Sequence, residues 1–269
     1  MAQDFDPEDI LRARRGYFGN VSYVDDQVGI LRGLLERLGL ADNTIIVVTS
    51  DHGESLGERG LWFKRNHYDS SARVPFIFHA PQRFQAAVRG ENVSLIDLLP
   101  TVLHFAGDQT GDDLVEAIEG RSLAGLIEGD TSAKWDNVMF SEVMSDGLPS
   151  PVFMVRRDHY KLICGPAHPA QLYDMQADPH ERNDLALNPT PEILSVLRAL
   201  QSESESIWDG DALQAEIEHS VARRTLIRAA HNQGRSPDWD FYATTGEVGR
   251  WCRGGGDYNA WAYSVLSEK

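Results

Sequence analysis

Ile45-Ile46-Val47-Val48 is an unbroken β-branched run that leads directly into Thr49-Ser50-Asp51-His52-Gly53-Glu54. A short apolar run without alternation is expected of a strand covered on both faces, as in a parallel sheet. Upstream, apolar residues recur at Tyr17, Val21, Val24, Val28, Leu31, Leu35 and Leu38, which predicts a long helix with one buried face. Asp6 and Pro7 suit its N-cap and first helical position, and Gly39 its end. Val74-Pro75-Phe76-Ile77-Phe78 reads as a second strand, and Ser94 as the cap of a helix running from about Leu95 to Gly107. Helix, buried strand, strand, helix predicts an α/β core.

From residue 138 the pattern changes to short strand candidates at 138–142, 152–156, 160–164 and 172–175, separated by tight turns, which predicts an antiparallel sheet. Residues 191–230 carry a helical pattern. The last stretch, with Gly254-Gly255-Gly256, has no periodicity and reads as an extended tail. The expected division is therefore 1–137 for the α/β core, 138–230 for a smaller sheet-and-helix subdomain, and 231–269 for the tail.

Composition narrows the function classes. A formal charge of -16 repels nucleic acid and anionic membrane surfaces, and suits a small or cationic ligand better. No apolar run is as long as a membrane span. The acidic first residues look unlike a secretory or transit signal, so cytoplasmic residence is the default expectation. Cys164 and Cys252 are too few for a disulfide framework and are expected to be free thiols.

Ligands of open α/β sheets collect beyond the carboxyl ends of strands, which puts Asp51 and His52 in a functional position. On its own, an Asp-His pair more often has a plainer part than cation binding, with Asp51 capping a following helix and His52 lying at the surface. The continuation of the chain decides between the two. Gly57-Glu58-Arg59-Gly60-Leu61-Trp62-Phe63-Lys64-Arg65-Asn66-His67-Tyr68-Asp69-Ser70-Ser71-Ala72-Arg73-Val74-Pro75 continues Ser50-Asp51-His52-Gly53 without a gap. Together these resemble a signature of the choline sulfatases and their phosphonate monoester hydrolase relatives in the alkaline phosphatase superfamily. The segment 19–26, Asp97-Leu98-Leu99-Pro100-Thr101, Gln171-Leu172-Tyr173-Asp174 and Asp178-Pro179-His180-Glu181 extend the likeness over nearly the whole chain.

The resemblance implies part of an alkaline-phosphatase-like α/β/α sandwich, followed by a small antiparallel-sheet subdomain and an extended tail. It implies that Asp51 and His52 bind a divalent cation, calcium, magnesium or manganese, beside a sulfate ester. It assigns Lys64 to the sulfate and the bridging oxygen, where an ammonium neutralises charge on the leaving alcohol. For choline O-sulfate, a quaternary ammonium must be held by carboxylates and aromatic faces, and Glu142 and Asp257 resemble the family's carboxylates on that side. A tail that reaches a neighbouring subunit implies a homo-oligomer. Arg73 is read as structural, pairing with Asp69 or another buried carboxylate. Asp69 and Ser70 stand where relatives commonly show Glu-Gly, and His67 where they show an aromatic.

Sulfatases of this class attack sulfur with a formylglycine made from the Cys of C-x-P-x-R. Cys164-Gly165-Pro166-Ala167-His168 has His where Arg is required, and Cys252-Arg253-Gly254 fits no better. The attacking group is thus expected elsewhere, the chain alone is expected to be inactive, and its core is expected to expose an apolar edge. Two other readings remain open at this point: a phosphonate monoester or phosphodiester hydrolase of the same superfamily, and a non-catalytic binding or assembly module.

Overall fold

Asp6 begins the first helix as its sequence predicts, accepting a hydrogen bond from the Glu8 amide at 2.8 Å, with Pro7 at the first helical position. In the computed structural model this helix, α1, spans Pro7–Arg37 and closes at Gly39, whose φ of +67° only glycine adopts freely. Residues 5–107, 118–130, 132, 134–144 and 148–233 are described. The chain divides into two units, residues 1–218 and 219–269.

The expected buried face of α1 is not found. No residue of the helix is buried, and Val21, Val24, Leu31 and Leu38 are each at least half exposed. Periodicity shows which face a helix offers, but burial needs a partner surface. Among the described residues, such contacts gather at the first turns. There Phe5 meets the Trp62 ring edge-on, Ile10 lies against Gly57, and Arg14 Nε donates to the Leu56 carbonyl at 2.9 Å.

The β-branched run forms β1 (Ile46–Thr49), followed by β2 (Ser55–Leu56), β3 (Trp62–Phe63), the single turn α2 (Asp69–Ala72) and β4 (Phe76–His79). β1 does not join a parallel sheet here. It pairs antiparallel with β4, Ile46 opposite His79 and Thr49 opposite Phe76, and all four of its residues are only partly buried. β-Branching selects a strand without selecting the direction of its neighbour. The connection to β4 contains no crossover helix of the kind that joins parallel neighbours. β2 and β3 form a second small antiparallel pair.

Ser94 caps as expected: the buried Asp97 carboxylate accepts from the Ser94 amide at 2.8 Å, ahead of α3 (Leu98–Ala106), which stops at Gly107. The same carboxylate accepts from the Arg121 amide at 2.8 Å, and Thr101 Oγ1 accepts from the Leu123 amide, so the approach to α4 (Ala124–Glu128) is tied to α3.

The four later strands appear where predicted: β5 (Val138–Val143), β6 (Val152–Arg157), β7 (Tyr160–Gly165) and β8 (His168–Asp174), in an antiparallel sheet of sequential order. Alternation gives the sheet two apolar faces. Val155, Leu162 and Leu172 pack with Leu197 and Leu200 of α5 (Pro191–Ile207). Met154, Ile163 and Tyr173 face the other way, against Tyr68 and Ala72, so α2 lies on this sheet. α6 (Gly210–Gln233) completes the described chain. No helix among the described residues is long and apolar enough to cross a membrane.

Candidate active site

The backbone leaves β1 at Thr49 and turns through Ser50-Asp51-His52-Gly53 before β2 begins. The turn is held by its own polar groups. Ser50 Oγ donates to the His52 carbonyl at 2.8 Å, and the His52 amide donates to Asp51 Oδ1 at 3.0 Å. Asp51 and His52 therefore project side by side, with His52 Nε2 3.3 Å from Asp51 Oδ2. Lys64, just after β3, brings its Nζ to 2.7 Å from the same His52 Nε2. Asp51, His52 and Lys64 thus form one cluster at the carboxyl end of β1.

Hydrogen bonding assigns the imidazole tautomer. The Gly53 carbonyl lies 2.8 Å from His52 Nδ1 and can only accept, so Nδ1 carries the proton and Nε2 presents its lone pair to the Lys64 ammonium. Desolvation alone would raise the Asp51 carboxyl. Hydrogen bonds from the His52 amide and the Ser50 hydroxyl outweigh it and hold the group below the ordinary aspartate value.

Asp51 and His52 suit part of a divalent cation shell: a carboxylate oxygen and an unprotonated imidazole nitrogen sit side by side at an accessible turn. No group of three or more His, Cys, Asp or Glu side chains able to hold a metal occurs among the described residues, so these two donors would make up only part of such a shell.

The turn rests on α2. The Gly53 amide donates to the Ser71 carbonyl at 2.7 Å, and Ser55 Oγ lies 3.0 Å from Ser70 Oγ. At the start of α2, Asp69 meets a group that sequence reasoning passed over. Lys161 Nζ, on β7, lies 2.7 Å from Asp69 Oδ1 and 2.7 Å from Glu181 Oε1, and the lysine is 1% exposed. Arg156 NH1 stands 3.7 Å from Asp69 Oδ2. Arg73, the partner of Asp69 that the sequence suggests, is mostly exposed and reaches that carboxylate only at 3.9 Å. Lys161 takes the role because it emerges from the sheet face on which α2 lies.

The remaining predicted residues are not part of the cluster. Glu142, on β5, is exposed and accepts a short hydrogen bond from Trp208 Nε1. Trp208 stacks on Phe153 at 4.6 Å and meets Phe140 edge-on at 6.0 Å, so a carboxylate stands beside an aromatic group. Asp257 and Cys252 lie outside the described residues. Cys164 is a free thiol, raised by burial, with Sγ 3.4 Å from Ser204 Oγ. His67 is buried, its Nε2 3.1 Å from the Val152 carbonyl. A cleft of about 330 Å³ lies at the other end of β1, lined by Thr44, Ile45, Phe78 and Phe105 among others, and includes none of the cluster residues. The candidate residues at the carboxyl end of β1 lie outside this cleft.

The family pattern described as sulfatase matches residues 2–108, and that described as N-sulphoglucosamine sulphohydrolase, C-terminal, matches residues 57–207. A choline-sulfatase of Rhizobium meliloti (strain 1021) is 34% identical over 241 residues, covering 88% of this chain and 46% of that protein. A solved structure described as a complex with its substrate D-glucosamine-2-N,6-O-disulfate superposes with a TM-score of 0.56 at 32% identity, over 71% of this chain and 40% of that one. The phosphonate monoester hydrolase of Agrobacterium radiobacter superposes with a TM-score of 0.64 at 24% identity, over 80% of this chain and 43% of that one, a likeness of fold. The chain spans less than half the length of each of these three.

Proposed function

Because this chain belongs to the sulfatase family, we propose that it supplies the cation-binding and leaving-group side of a sulfuric ester hydrolase whose substrate is choline O-sulfate. The observation that carries this reading is the meeting of Lys64 Nζ with His52 Nε2 at 2.7 Å, beside Asp51. The Asp51 carboxylate and the His52 Nε2 lone pair would hold a calcium, magnesium or manganese ion, which when bound supplies positive charge against a sulfate oxygen. Lys64 is exposed, and its long side chain would turn from His52 to the bridging oxygen of an ester. There its charge offsets the negative charge that builds on the alcohol as the S–O bond breaks.

No C-x-P-x-R occurs in the 269 residues. The attacking group therefore comes from outside them, and the chain by itself turns over sulfate esters poorly or not at all. The choline assignment is supported by the likeness to a choline-sulfatase and by Glu142, whose carboxylate accepts a hydrogen bond from Trp208 Nε1. Carboxylates and aromatic faces are what a quaternary ammonium can use. Asp257 is the second carboxylate of this reading, contributed to a neighbouring copy in a homo-oligomer.

The test is relative turnover of choline O-sulfate and a matched phosphodiester by the protein completed with a nucleophile-bearing portion. A dominant rate on the sulfate ester is expected. A strong phosphodiester preference would replace the assignment with phosphoryl chemistry. Calorimetric binding of choline, with no turnover in any reconstituted complex, would make the chain a binding module.

A further inference from the structure

The Asp51-His52 turn leans on the backbone of α2, a helix of four residues. One turn of helix has almost no stability by itself, so it must be fastened from outside. Ser71 is buried and its carbonyl receives the Gly53 amide at 2.7 Å, so any displacement of α2 carries Gly53, and with it His52, along. Besides the packing of Tyr68 and Ala72 on the sheet, α2 is fastened by charges centred on the buried Lys161 and Glu181. Lys161 Nζ bridges Asp69 Oδ1 and Glu181 Oε1 at 2.7 Å each, and Glu181 Oε2 accepts from the Asp69 backbone amide at 2.9 Å. Arg156 stands 3.7 Å from Asp69, so the two carboxylates face two cations on the sheet, with the exposed Arg73 at 3.9 Å outside them. Glu181 is itself held at a φ of +54°, a conformation a glutamate keeps only when its side chain is tied down.

We propose that Lys161 is a positioning residue: its ammonium, reaching from β7 to Asp69 and Glu181, fixes α2 and through the Gly53–Ser71 hydrogen bond sets where Asp51 and His52 project. Lys161 is paired with Asp69 and Glu181 and acts on Asp51 and His52 only through α2. The meaning of this link for catalysis rests on the reading of Asp51 and His52 as cation ligands, whereas the link itself is tested without that reading.

Hydrogen exchange of the full chain, resolved at the Gly53 amide, compares wild type with Lys161→Met and with Leu200→Ala, a control in the opposite face of the sheet where α5 packs. Lys161→Met is expected to speed Gly53 exchange by about tenfold or more while leaving α5 protected as in wild type. The His52 ring nitrogen shifts are expected to move from the Nδ1–H tautomer toward an average of both tautomers. Leu200→Ala is expected to weaken α5 without either effect. Should Lys161→Met fail to fold, Asp69→Ala, which leaves Lys161 paired with Glu181, is read the same way and is expected to give a smaller change in the same two signals. Gly53 protection and His52 shifts that stay at wild-type values in a folded variant, or that change equally in Leu200→Ala, would overturn the assignment. Either result stands whether or not the chain acts on sulfate esters, and a manganese titration of the same variants then reports separately on the ligand reading. If that reading holds, Lys161→Met binds manganese more weakly than wild type. Absence of manganese binding in the wild type would count against the ligand reading alone.

Discussion

A β-carbon on Gly53 would stand 2.2 Å from the carbonyl oxygen of Ser70, closer than any real contact allows, so the turn after β1 can sit on α2 only with glycine at this position. Backbone sits on both sides of the contact, and no flexible side chain can move aside. Gly53→Ala is therefore expected to push the turn off α2, with a stability loss of about 1–3 kcal/mol in chemical denaturation. Divalent-cation affinity, read by calorimetry, should fall along with it.

Lys64→Ala removes the ammonium and leaves Asp51 and His52 in place. In the completed protein its turnover of choline O-sulfate should fall by roughly a hundredfold to a thousandfold, as for loss of one charge-stabilising donor. Manganese affinity should hold or rise, because His52 Nε2 no longer shares its lone pair with the Lys64 ammonium. Equal losses in turnover and affinity would make Lys64 a structural residue.

Burial pushes the His67 imidazole down to about 4 from its ordinary 6.5, with the Val152 carbonyl opposing the shift and the Lys161 charge adding to it. The folded value lies below the unfolded one, so the unfolded chain takes up the proton first as pH falls. The contribution is complete above about pH 6.5 and is lost progressively toward pH 4, by up to roughly 3 kcal/mol. Urea midpoints measured from neutral pH downward should show a steeper fall for wild type than for His67→Gln, and parallel curves would count against this origin.

Leu162 is fully buried between β7 and α5, whereas Leu31 on α1 is half exposed. Leu162→Ala is expected to cost about 2–5 kcal/mol of unfolding free energy in this chain. Leu31→Ala should change it by less than about 0.5 kcal/mol. A large loss at Leu31 would mean that α1 buries its stripe in solution.

Features whose physics is local could be read directly from the residues. Asp6-Pro7 and Ser94 with Asp97 carry capping chemistry within a few positions, and the β5–β8 strands alternate and turn within short loops. Asp51, His52 and Lys64 were legible as one site because their segment is a single unbroken stretch. The direction of β1 and the burial of α1 were not legible, since each depends on a surface from elsewhere in the chain. Lys161 was missed for the same reason: its partner Asp69 is far away in sequence. One signal was available. Lys161 alternates with Ile163 on β7, and both point to the face that carries Met154 and Tyr173, where a lysine must find carboxylates.

The bare apolar stripe of α1 also affects how the chain behaves at the bench. Salts that are excluded from protein surfaces strengthen the burial of any greasy area that can find a partner. Ammonium sulfate should therefore bring this acidic chain out of solution while β5–β8 remain folded. Aspartates placed at Val24 and Leu31 should raise the salt concentration at which it precipitates.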